Sequence, residues 1–110
     1  MARVLALAPD LMFASRIEAT LSAEGHQVKV SGRAPDRAEL LRAEVIVVDL
    51  DHALAESVTG RGIPVLGFYS HTDVKTREGA QKAGVDLVVP RSRMAREMPA
   101  LVAGLLARSG

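Results

Sequence analysis

Four apolar runs of this chain each give way to polar residues able to do chemistry. Val4–Ala8 is followed by Pro9-Asp10, Val45–Val48 by Asp49-Leu50-Asp51-His52, Ile63–Tyr69 by Ser70-His71, and Val85–Val89 by Pro90-Arg91-Ser92-Arg93. Asp10 and Asp49 are candidate ligands for magnesium, a hard cation that takes oxygen ligands and usually only one or two protein carboxylates. Arg91 offers a planar fork for a phosphate or carboxylate, with Ser70 as a second anion contact. Arg93 and Arg96 enlarge that basic cluster, whose plainer reading is a solvated helix start. Asp49 also has two uses: a binding role, or simply ending a buried strand and capping the next helix through its carboxylate.

Other arrangements carry less. His52 and His71 could meet beside Asp49, but histidines from separate loops have no ligand spacing and read more simply as exposed loop residues. Ser70-His71-Thr72-Asp73 contains the residue types of a hydrolytic triad, yet a triad converges in space, and the stretch reads better as a helix cap. Gly60-Arg61-Gly62 precedes a strand, whereas a dinucleotide loop must follow one and open a helix. No nucleophile–base pair assembles, so an enzyme is not expected.

The elements that must position these residues alternate in period. Val4–Ala8 is a strand buried on both faces, and 11–24 has helical spacing closed by Gly25. His26–Val30 alternates like an edge strand, with Val28 and Val30 on one face. Asp36–Ala43 reads as a short helix. Val45–Leu50, the most β-branched run, is the expected central strand. His52–Thr59 holds at most two turns of helix. Ile63–Tyr69 and Val85–Val89 are further strands flanking a polar-faced helix over 72–83, which Gly84 ends. Met94–Arg108 is the last helix, with Pro99 expected in its first turn or at a break, because an interior proline removes a hydrogen bond. Five strands alternating with helices predict a doubly wound parallel α/β sheet, which binds ligands beyond the carboxyl strand ends, where strand order reverses.

Composition narrows the classes. The 110 residues carry 14 Lys+Arg against 13 Asp+Glu, a net charge of +1, which lacks the basic field a nucleic-acid surface needs. With 48% hydrophobic and 25% charged residues, the chain is ordinary globular material. Zero cysteines exclude disulfides, thiolate metal sites and a cysteine nucleophile, and suit a reducing cytoplasm. The apolar run before Pro9 is too short for a signal peptide or membrane span. One domain over 1–110 is expected.

The order of elements, the aspartate ending the third strand and the cation just after the fifth resemble the receiver domain of bacterial response regulators, over nearly the whole chain. The resemblance implies a flavodoxin-like five-stranded fold. It places Asp49 on the phosphoacceptor and Arg91 on the family's lysine, which keeps a cation but not a compact ammonium. The family's acidic pair, which holds magnesium, falls on Ala8 and Pro9, with only Asp10 one place along. Its Ser/Thr position falls on Tyr69, with Ser70 adjacent, and its fifth-strand aromatic becomes Val88. Between Asp49 and Pro64 the chain is several residues shorter than the family norm, implying a shortened third helix.

These departures remove parts of a template that works by positioning and charge neutralisation. The expectation is a stand-alone pseudo-receiver in bacterial signalling, a cytoplasmic protein-interaction module without a resident cofactor, not phosphorylated in normal function. The alternatives are a working receiver, with Asp49 as acceptor and Asp10 and Asp49 holding magnesium, and a binder of a small anion or nucleotide gripped by Arg91. Receiver partner faces place the candidate interface on Lys75, Arg77, Glu78, Gln81, Arg93, Arg96 and Glu97. Their mixed charges suit a homodimer. Neither nucleic acid nor membrane is expected as a partner.

Overall fold

A computed structural model describes residues 2–52, 55–70 and 74–109. Five parallel strands, β1 (Arg3–Leu7), β2 (Gln27–Ser31), β3 (Val45–Asp49), β4 (Val65–Tyr69) and β5 (Leu87–Pro90), lie in the order β2-β1-β3-β4-β5. The β-branched run forms the central strand, and every residue of β3 is buried. Val28 and Val30 of the edge strand β2 pack against one core, as their alternation predicts.

Helices cover both faces. The larger core joins α1 (Leu11–Ala23) and α4 (Arg91–Ser109) to the sheet through Ile17, Leu21, Phe68, Met94, Met98 and Val102, all fully buried. Burial of each such side chain stabilises the fold by roughly 1.5–3 kcal/mol before entropy is counted. The opposite core is thinner. There α2 (Arg37–Arg42) contributes Leu40 and α3 (Val74–Lys82) contributes Ala80. A single 3₁₀ turn at Ala55–Ser57 stands where a third helix was expected to be short, and Val58 closes the core behind it.

Several boundaries differ from expectation for local reasons. Strand β4 starts at Val65 rather than Ile63, although the Pro64 carbonyl already accepts from the Ile46 amide at 3.0 Å. Strand β5 extends through Pro90, an edge position where a missing N–H is tolerated. Helix α4 begins at Arg91, three residues before Met94, and it runs through Pro99 without the expected break. Met94, Met98, Leu101, Val102 and Leu105 are all buried along one stripe, and that packing outweighs the hydrogen bond Pro99 cannot make. The proposed cap at Thr72 and Asp73 lies outside the described residues.

Register sets the edge that carries the polar residues. Leu7 is level with Val48, Asp49 with Phe68, and Tyr69 with Pro90. The residues following these positions therefore gather along the carboxyl ends of β1, β3, β4 and β5.

Candidate functional site at the carboxyl edge of the sheet

Asp10 caps α1. Its Oδ1 accepts from the Met12 amide at 3.0 Å and the Phe13 amide at 3.3 Å. Its Oδ2 accepts from Arg91 Nη2 at 2.5 Å. Both carboxylate oxygens are thus engaged. The Arg91 hydrogen bond, followed by the Phe13 amide, holds the Asp10 carboxyl below the ordinary aspartate range.

Arg91 is held on a second side. Its guanidinium carbon lies 4.1 Å from the centroid of the Phe13 ring. Phe13 in turn meets Phe68 with ring centroids 5.0 Å apart and planes tilted by 54°. A strand residue in the core therefore supports a helix residue, which supports the cation. Cation–aromatic contacts and ion pairs this open to solvent are weak, so together they position Arg91 rather than anchor the fold.

Asp49 is the one polar or charged residue among the described residues that is buried, with 1% of its surface exposed. Its Oδ1 accepts from the Asp51 amide at 3.0 Å, and its Oδ2 lies 3.7 Å from His52 Nδ1. Burial pushes its carboxyl above the ordinary range, outweighing the Asp51 amide and the attraction of His52 and Arg91. The carboxylate does act as a cap, but of a turn rather than of a helix.

The raised value has a signed consequence. The folded protein keeps the Asp49 proton to higher pH than the unfolded chain, so the group's stabilising contribution is complete below about pH 4 and is lost as pH rises through its folded value. The lowered Asp10 acts the other way, contributing above its ordinary range and losing that as pH falls, weakened by solvent. Asp49→Asn keeps an acceptor for the Asp51 amide and removes the buried charge. It is expected to raise stability at neutral pH by about 1 kcal/mol and to flatten the decline above pH 4, as thermal melts across pH would record.

Ser70 does not join Arg91. Ser70 is exposed, and its amide donates to Asp51 Oδ2 at 2.8 Å, tying the end of β4 to the turn after β3. His71 lies outside the described residues. Among those described, no three His, Asp or Glu side chains gather as a metal ion would need. Lys75, Arg77, Glu78 and Gln81 lie on α3, where all four are exposed. Arg93 Nε pairs with Glu97 at 3.3 Å, and Arg96 Nε reaches the Ser92 carbonyl at 3.4 Å, so this part of the predicted interface is internally paired.

Two partnerships escaped the sequence. Asp10 precedes a helical apolar stripe, which is a capping signal and would have identified that role. Phe13 under Arg91 had no local signal, because it depends on two segments distant in the chain.

No helix among the described residues is long and apolar enough to cross a membrane. No family model matches the sequence. A search of the curated proteins also finds no match. Solved structures do match. The CheY-like receiver domain protein from Methanospirillum hungatei is 15% identical with a TM-score of 0.85, covering 99% of this chain and 96% of that one. The Francisella response regulator 1452 receiver domain is 19% identical with a TM-score of 0.82, over 100% of both chains. NtrX from Brucella abortus, solved with ADP, is 18% identical with a TM-score of 0.84, over 98% of this chain but 26% of that one. This chain thus spans about a quarter of NtrX and the whole of the Francisella receiver domain. It has the flavodoxin-like fold of response regulator receiver domains.

Proposed function

We propose that this chain is a receiver-type signalling module whose phosphorylation site has been retired and whose work is binding a protein partner. The observation that carries this reading is the double engagement of Asp10. Its oxygens serve the α1 amides and Arg91, so the one acidic residue near the end of β1 is spent on a cap and an ion pair. Arg91, where the resemblance puts a lysine, is itself held by Asp10 and Phe13. Magnesium would have to displace a guanidinium from Asp10 and remove Asp49 from its turn, which the arrangement does not favour. The module is assigned no catalytic step. Its partner face is the exposed side of α3 with the start of α4, through which a homodimer would also form.

A working receiver is the second reading. It is favoured by the place of Asp49 at the carboxyl end of the central strand, beside the reversal of strand order.

Magnesium titration separates the two, read from backbone amide resonances. Millimolar magnesium is expected to leave the Asp10 and Asp49 amides of the wild type unmoved, and Arg91→Ala, which releases Asp10 Oδ2, to gain a weak response. A saturable shift of both amides in the wild type would overturn the retired-site reading.

A further inference from the structure

A cavity of about 280 Å³ opens on the α2 side of the sheet, at the carboxyl ends of β1, β2 and β3, where strand order reverses. Leu7, Pro9 and Pro35 form apolar walls, and Ser31, Arg33 and His52 stand among them. Among the described residues no carboxylate lines it, and Arg91 is not part of it. Ser31 Oγ accepts from the Arg33 amide at 3.3 Å and donates to the Arg33 carbonyl at 3.1 Å, which fixes the loop that presents the arginine. The Arg33 side chain is exposed and makes no ion pair among the described residues. One guanidinium outside any ion pair and one imidazole, with no acid in the lining, make the cavity attractive to an anion. The volume falls just below the range of drug-sized pockets, roughly 300–1,000 Å³, a size that suits a mononucleotide or sugar phosphate.

We propose that this cavity binds a small phosphate monoester, its phosphoryl group held by Arg33 and His52 and its sugar or ring laid against Leu7, Pro9 and Pro35. The site is separate from the Asp10–Arg91 pair and holds whether or not Asp49 accepts phosphate. His52 joins the two regions, because its Nδ1 also faces Asp49 Oδ2 at 3.7 Å. An occupant that draws the imidazole toward its phosphoryl group alters the surroundings of Asp49, and coupling of this kind is reciprocal.

Adenosine monophosphate, adenosine and inorganic phosphate serve as probes, each titrated while backbone amide resonances are followed. The monophosphate is expected to give saturable shifts at Arg33, His52 and Asp49, and to bind more tightly than either fragment. Arg33→Ala should weaken it about tenfold, the loss of one charge-assisted hydrogen bond, while Arg91→Ala leaves it unchanged. Absence of saturable shifts in the wild type would overturn the proposal. Binding that survives Arg33→Ala but is lost in Arg91→Ala would do so equally, by moving the anion to the other site. Inorganic phosphate binding as tightly as the monophosphate would remove the role given to the apolar walls.

Discussion

Phe68→Ala is expected to destabilise the domain by about 3–5 kcal/mol, a large part of what a small domain holds in total. Phe68 is fully buried in the larger core, on a strand whose every residue is buried. Truncation leaves a cavity between β4 and the helices α1 and α4, and it takes away the ring against which Phe13 is tilted. Phe13 carries Arg91, so the loss reaches the surface as well as the core. Urea denaturation should show the midpoint falling sharply. Phe68→Leu, which refills much of the volume, should restore most of the stability but not the ring contact. A Phe68→Ala midpoint close to the wild type would mean that the larger core is not organised as described.

Gly67→Val is the second large effect, expected at about 1–3 kcal/mol and working by overpacking rather than by a void. The neighbouring residues Leu66 and Phe68 face the larger core, so Gly67 faces the thinner one. A Cβ placed there would stand 2.8 Å from Leu50 Cδ1, 3.0 Å from Leu50 Cγ and 3.2 Å from Val85 Cγ1. With only a 3₁₀ turn after β3, Leu50 folds directly onto β4, and the missing side chain of Gly67 makes that approach possible. Leu50→Ala in the same chain should recover part of the loss. A double variant no more stable than Gly67→Val alone would place the strain elsewhere.

Much of this was legible in the sequence because the strands are β-branched runs punctuated by glycine, proline or aspartate. The position of Asp49 at the end of the central strand followed from that pattern alone. The start of α4 was not legible, since Pro90-Arg91-Ser92-Arg93 has the composition of a loop, yet the helix begins directly after the strand. Nor was the path of α4 through Pro99, where buried side chains on both sides of the proline hold the helix together. Asp10 was read as a cation ligand, and it does bind a cation, but the cation is Arg91. Contacts between residues so far apart in sequence leave no periodic or spacing signal. A crevice where strand order reverses was expected from the sequence, with Arg91 as its cation, but its lining by Arg33 was not, since the walls come from loops after three different strands.

Retirement of the phosphorylation site is tested most directly by incubating the protein with acetyl phosphate and magnesium and taking its intact mass beside an Asp49→Asn control. The arrangement of Asp10, Arg91 and Asp49 predicts that neither protein gains mass. A phosphate-sized gain confined to the wild type would contradict it and make Asp49 a working phosphoacceptor.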